Sequence, residues 1–167
     1  MSASNVGALL LEKNYTLATA ESCTGGLLSS FISEVAGASA WFRGGWVTYT
    51  NELKVSQLGV PLELLEQYGA VSSQVALAMA SGASEISGAE VAVSITGIAG
   101  PTGGSDAKPV GTVFIACKVD QETQVREFRF KGERNEVRLR AANTALQMLR
   151  LQLLGEQVKT MRWQFSE

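Results

Sequence analysis

Two stretches of this chain hold the residues best suited to chemistry. Glu21-Ser22-Cys23-Thr24-Gly25-Gly26 joins an apolar run to an amphipathic one, which places Ser22 on a turn at the start of a helix. A hydroxyl presented there can act as a nucleophile, and the free amides of a first helical turn can stabilise a phosphate or an oxyanion. A plain structural role competes, since Ser22 or Thr24 can simply cap the helix. Cys23 is the rival nucleophile because a helix N-terminus lowers a thiol's pKa. It lacks a histidine partner, and a small buried thiol is its blander reading, so Ser22 is favoured. Glu21 can accept a ligand hydroxyl or face solvent.

The second stretch follows from a zero in the composition. The chain contains no histidine, so a Ser-His-Asp triad, a Cys-His dyad and a histidine metal site are excluded within it. A general base must then be Lys, Tyr, Asp, Glu or a water they position. Tyr49 and Lys54 answer that need. A lysine kept neutral by burial can deprotonate a serine, and Tyr49 can relay the proton or orient Ser22. Taken singly, each has an ordinary alternative: a solvated helix lysine, and a strand tyrosine with its hydroxyl at the surface. Asn51, between them, is a candidate helix cap and substrate contact.

Other segments supply binding groups. Thr96-Gly97-Ile98-Ala99-Gly100-Pro101-Thr102-Gly103-Gly104-Ser105 is rich in glycine, which lets backbone amides approach a phosphate or carbonyl. It is neither a Walker motif nor GxGxxG, and many such loops are only turns. Thr96 and Gly97 are the candidate contacts. Gly111 returns the chain to the sheet and can also give a ligand access to backbone. Arg134 and Arg138 lie one helical turn apart and share a face, so both are candidates for a phosphate, against the alternative of a solvated ion-paired face. Arg43 competes for the phosphate role. Trp41, Phe42 and Trp46 read as core or interface residues first.

These residues need elements to hold them. Ser4–Lys13 predicts an opening helix and Tyr15–Ala20 a buried strand that runs into Ser22, followed by a helix over Leu27–Val35. Gly45–Thr50 predicts a strand, with Asn51 as the cap of the next helix and Pro61 as the first residue of another. A long helix follows Ser72, with Val75, Leu77, Met79, Ala80 and Ile86 among its apolar positions. Val91–Thr96 predicts a central strand, and Val110–Lys118 with Gln124–Phe130 a hairpin joined by Val119–Thr123. Glu133–Leu154 closes the domain as a helix, and the tail 155–167 is expected to lie over the domain or a partner. Alternating strands and helices followed by a hairpin predict a three-layer α/β/α domain with a mixed sheet. Ligands in such sheets bind beyond the carboxyl ends of the parallel strands. The strands ending at Glu21-Ser22, Tyr49-Thr50-Asn51 and Thr96-Gly97 all point there.

The 167 residues suit one domain spanning 1–167, and 46% apolar with 18% charged residues is an ordinary globular balance. A net charge of −2 points away from nucleic acid or an anionic membrane but leaves room for a small basic pocket. No secretory signal or membrane span is expected. Cys23 and Cys117 form no CxxC pair, so a reducing cytoplasm is the expected compartment.

Five motifs occur in one order: Thr19 to Gly26, Ala40-Trp41-Phe42 with Val47 to Lys54, Gly69 to Ser72, Thr96 to Pro101 through Val113, and Gly132 to Arg138. In this the chain resembles the C-terminal domain family of the competence/damage-inducible protein CinA, whose stand-alone members are nicotinamide-nucleotide amidohydrolases. The resemblance runs from about Val6 to Leu154. It implies a mixed, mostly parallel five-stranded α/β/α sheet and hydrolysis of nicotinamide mononucleotide to nicotinic acid mononucleotide and ammonia, in pyridine-nucleotide recycling. Ser22 resembles the nucleophile, with Tyr49 and Lys54 as its activating partners. Thr96 and Gly97 resemble substrate-binding positions, as does one arginine of the last helix, Arg134 or Arg138. Glu21, Thr24, Gly25, Gly26 and Asn51 complete the expected substrate contacts. No cofactor or metal is expected, and a homodimer or larger homo-oligomer is. Trp163 in the tail is a candidate interface residue. A non-catalytic nucleotide-binding or regulatory relative with the same pocket is the alternative, and a partner subunit without activity of its own is a third. Full-length relatives carry a further N-terminal domain linked to pyrophosphatase activity, which is not transferred to this chain.

Overall fold

A computed structural model describes residues 3–156. The tail from residue 157 onward, Trp163 included, lies outside the described residues. The strands are β1 (Leu17–Glu21), β2 (Phe42–Val47), β3 (Val91–Gly97), β4 (Thr112–Val119) and β5 (Glu122–Arg129). The helices are α1 (Ala3–Lys13), α2 (Leu27–Ser33), α3 (Asn51–Leu58), α4 (Leu62–Tyr68), α5 (Ser73–Ser87) and α6 (Arg134–Leu153). The five strands form one sheet in the order β2-β1-β3-β4-β5. β1 pairs in parallel with β2 and β3, while the β3–β4 and β4–β5 pairings are antiparallel. The sheet is mixed, as expected, and only β4 runs against the rest.

Alternation along the strands builds the two outer layers. Leu17, Val91, Val93, Ile95, Ile115 and Cys117 point to one face, where they pack with Val6 and Leu10 of α1, Leu28 and Ile32 of α2, and Val137, Ala141, Ala145 and Leu149 of α6. Ala18, Ala20, Ala92 and Ala116 point to the other, beneath Val75, Ala76, Met79, Ala80 and Ala83 of α5. Small residues on both sides of that second interface let α5 sit close to the sheet. α3 is drawn in further still. A Cβ on Gly82 of α5 would lie 1.9 Å from the Leu58 carbonyl oxygen at the end of α3, so only glycine permits that approach. Among the described residues no helix is long and apolar enough to cross a membrane.

Several boundaries differ from the sequence reading. β2 begins at Phe42 rather than Gly45 and ends at Val47, because Thr50 turns away to cap α3: its hydroxyl accepts from the Leu53 amide at 3.3 Å. Asn51 is therefore the first helical residue and not the cap. Pro61 caps α4 rather than opening it. The hairpin turn is tighter than five residues, since Val119 pairs with Glu122 and Asp120 takes φ 52°. Ile86, expected on the apolar face of α5, is 56% exposed.

Candidate active site

The site forms where β1, β2 and β3 end. β1 delivers Glu21 and Ser22, and Ser22 continues the sheet for one more bond by donating its amide to the Ile95 carbonyl at 2.9 Å. The Glu21 carboxylate is fully buried. One oxygen accepts from the Leu28 amide at 2.9 Å, and the other from the Ser29 amide at 3.0 Å and the Ser29 hydroxyl at 2.8 Å. Glu21 thus holds the first turn of α2 and is sealed away from any ligand, fully buried and outside the cavity lining. This corrects its expected role in substrate binding: a buried carboxylate facing a helix start is drawn to that helix's free amides.

Lys54 rises from α3 into the protein rather than into solvent, and is 1% exposed. Its Nζ donates to Ser22 Oγ at 2.9 Å, to the Thr48 carbonyl at 2.7 Å and to the Tyr49 carbonyl at 3.4 Å. Burial away from water disfavours the ammonium and lowers the Lys54 pKa to about 8, with a small opposing contribution from Cys23. A neutral amine has two hydrogens and one lone pair. With the hydrogens on Thr48 and Tyr49, the lone pair is left for the Ser22 hydroxyl. Cys23, the rival nucleophile, has its pKa pushed up to about 12, chiefly by burial, so its thiol keeps its proton near neutrality.

Tyr49 is 54% exposed. Its hydroxyl meets Arg134 rather than Ser22, accepting from Nη2 at 2.7 Å, while Nη1 of the same arginine donates to the Gly100 carbonyl at 2.6 Å. Arg134 thereby bridges the loop after β2 and the glycine-rich loop after β3. Arg138 points elsewhere: its Nη2 donates to the Thr24 carbonyl at 2.9 Å and its Nη1 to Asn135 Oδ1 at 3.2 Å. Arg43 sits near the amino end of β2, at the opposite end of the strands. There it adds to the lowering of the Glu90 carboxyl pKa, which the Thr16 amide dominates.

These groups open onto a cavity of ≈ 270 Å³ lined by Ser22, Tyr49, Lys54, Thr96, Gly97 and Arg134, with Cys23 and residues 98–100 and 102–103. Ala70 and Val71, which sequence reasoning did not single out as site residues, form another wall. Thr96 Oγ1 donates to the Ala70 carbonyl at 2.8 Å and ties that wall to β3. The Gly69-Ala70-Val71-Ser72 run was the available signal, as one of the five ordered motifs. Glu21, Thr24, Gly25, Gly26, Asn51 and Arg138 do not line the cavity. Thr24 is fully buried and Asn51 is exposed on the first turn of α3. A larger hollow of ≈ 470 Å³ lies among α1, α2 and α6, lined by Phe31, Val35 and Leu146 among others, but it gathers no set of reactive groups. Among the described residues no three His, Cys, Asp or Glu side chains come together as metal ligands.

Comparison with known proteins follows the same outline. The family model of the CinA C-terminal domain matches residues 1–153. A CinA-like protein of Geobacter sulfurreducens is 54% identical over 149 residues, which cover 89% of this chain and 36% of that one. A CinA-like protein of Geotalea daltonii is 52% identical over 150 residues, covering 90% and 36%. The chain therefore spans about a third of the length of these curated relatives. Among solved structures, the competence damage-inducible protein A (ComA) of Klebsiella pneumoniae superposes with a TM-score of 0.89 at 35% identity, covering 93% of this chain and 96% of that one. The competence/damage inducible protein CihA of Agrobacterium tumefaciens gives 0.85 at 44% identity, covering 91% and 94%.

Proposed function

The chain belongs to the CinA C-terminal domain family, and from that premise we propose that it hydrolyses the carboxamide of nicotinamide mononucleotide, giving nicotinic acid mononucleotide and ammonia. The observation that carries this reading is the 2.9 Å contact between the buried Lys54 amine and Ser22 Oγ. Neutral Lys54 takes the Ser22 proton as Oγ attacks the carboxamide carbon. The lysine then passes that proton to the departing nitrogen, the C–N bond breaks, and ammonia leaves an acyl-serine ester. Water enters with Lys54 again as base, the ester C–O bond breaks, and Ser22 recovers its proton as the carboxylic acid departs.

The oxyanion in this scheme faces the backbone that lines the cavity, which includes the glycine-rich loop at residues 98–100. Arg134, bridging Tyr49 and Gly100 at the cavity, is the cation for the phosphate. Arg138 and Arg43 are set aside for that role, the first because it is turned to Thr24 and the second because it lies at the far end of the strands. Tyr49 contributes its carbonyl to Lys54 and its hydroxyl to Arg134, which makes it an organiser of both rather than a relay. This chemistry suits pyridine-nucleotide recycling in the cytoplasm.

Ammonia release from nicotinamide mononucleotide tests the proposal. Wild-type protein is expected to turn the nucleotide over, and Ser22→Ala to reduce kcat to background while still binding it. Wild type that binds the nucleotide, as a raised Tm, without releasing ammonia would instead mark a non-catalytic nucleotide-binding relative. Full activity in Ser22→Ala would end the serine mechanism.

A further inference from the structure

The first two turns of α6 reach the loops that follow β1, β2 and β3. Arg134 holds the loops after β2 and β3, and Arg138 holds the loop after β1 through the Thr24 carbonyl, at 2.9 Å. Resting on the amidase reading above, we infer that Arg138 is a positioning residue for the nucleophile, which fixes the Ser22 turn from outside the cavity and keeps Oγ on the Lys54 amine.

The turn has few anchors of its own. It is closed by the Gly25 amide donating to the Ser22 carbonyl at 3.0 Å, with Gly25 at φ +60°. The Thr24 hydroxyl is fully buried and has no partner among the described residues, so that side chain ties the turn to nothing. On the inner side, Glu21 grips Leu28 and Ser29. On the outer side, among the described residues, Arg138 is the charged group seated on the turn, itself steadied by Asn135 Oδ1 at 3.2 Å. A guanidinium–carbonyl bond is charge-assisted and directional. Nucleophilic catalysis is sensitive to such placement, a misplacement of about 1 Å costing on the order of 100-fold in rate.

Removal of the guanidinium does not orphan its acceptor. The Thr24 carbonyl also receives the Leu27 amide at 3.2 Å, so the turn keeps its hydrogen bonding when Arg138 is shortened. Arg138 does not line the cavity either, so substrate affinity does not depend on it directly. Its loss is therefore read in kcat and in the reactivity of Ser22, with KM and fold left in place.

The test compares the full chain with Arg138→Ala and Arg138→Lys by three readouts. These are ammonia release from nicotinamide mononucleotide, the rate of labelling by a fluorophosphonate, and Tm. In the labelling step Ser22 Oγ bonds to phosphorus, the P–F bond breaks, fluoride leaves, and Lys54 takes the serine proton. Arg138→Ala is expected to lower kcat and the labelling rate by about tenfold, within the range that misplacement produces, with KM unchanged. Arg138→Lys, which retains a cationic donor, is expected to recover part of both rates. Unchanged kcat and labelling would overturn the inference. So would a raised KM at constant kcat, the mark of a substrate contact, or a rate loss that follows a fall in Tm and is not rescued by lysine. If wild type is labelled but releases no ammonia, the amidase reading fails while the labelling rates still decide the role of Arg138. If wild type is not labelled, Ser22 is not an activated nucleophile and the inference falls with it.

Discussion

Two lysines among the described residues donate to a serine hydroxyl: Lys54 to Ser22 and Lys118 to Ser84, both at 2.9 Å. Ser84 spends its own hydrogen on the Ala89 carbonyl at 2.8 Å, so it has no proton directed at its lysine. Lys118 is half-buried, whereas Lys54 is sealed at 1% exposure with its pKa lowered to about 8. Two measurements follow from that pKa. The rate kcat/KM is expected to rise with pH through a midpoint near 8 as Lys54 loses its proton, and Lys54→Met is expected to be inactive. Stability should carry the same signature. The unfolded chain, with an ordinary lysine near 10.5, binds more protons than the folded one between about 8 and 10.5, so folding becomes more favourable as pH rises through that window. Relative to Lys54→Met, wild type should gain on the order of 3 kcal/mol there, which denaturant titrations at pH 7.5 and 10.5 would detect in part. A flat difference between the two proteins would mean that Lys54 is charged when folded. At this scale the sequence was informative about Ser22 and Lys54, because the missing histidine left few possible bases. It misplaced Glu21, expected at a ligand, and the Tyr49 hydroxyl, expected at Ser22, whose partners lie seven and 85 positions away and are chosen by packing.

α2 is only seven residues long, and no side chain caps it at Gly26. Its first turn is held instead by Glu21, one residue before the nucleophile, so the strand that carries Ser22 also fastens the helix that follows. Glu21→Ala would leave the buried Leu28 amide and the Ser29 amide without an acceptor, while the Ser29 hydroxyl keeps Thr19 Oγ1 at 2.7 Å, at a cost of about 2–4 kcal/mol. A shift in denaturation midpoint at constant m measures it, and an unchanged midpoint would refute this role. Sequence periodicity located every main element but placed β2 three residues late. As an edge strand β2 pairs only with β1, and its burial alternates between intermediate and exposed, so Phe42-Arg43-Gly44 lacks the apolar run that marks the inner strands. The cap of α3 was misassigned for a similar reason: Thr50 and Asn51 are both good caps, and only backbone geometry decides between neighbours.

The site draws on both outer layers of the molecule. Ser22 is set by the sheet, Lys54 comes from α3 beside α5, and Arg134 and Arg138 come from α6 on the opposite face. That the two arginines share a helix face was readable from their spacing. That they serve different loops was not, because it depends on where those loops end once the sheet has assembled. The contact between Gly82 and Leu58 belongs to this scale. A methyl group at position 82 cannot be accommodated 1.9 Å from a carbonyl oxygen, so Gly82→Ala must push α3 outward and carry Lys54 with it. In an ordinary helix the same change adds about 1 kcal/mol of stability. Here the expected outcome is a loss of kcat of at least about tenfold, since such placement errors act steeply on rate, although residue 82 does not line the cavity. Retention of wild-type kcat in Gly82→Ala would show that α3 yields without moving the amine. In a random-mutagenesis screen for inactive variants, hits should thus accumulate along the seam between α3 and α5, where a map drawn from the cleft alone would mark the surface as neutral.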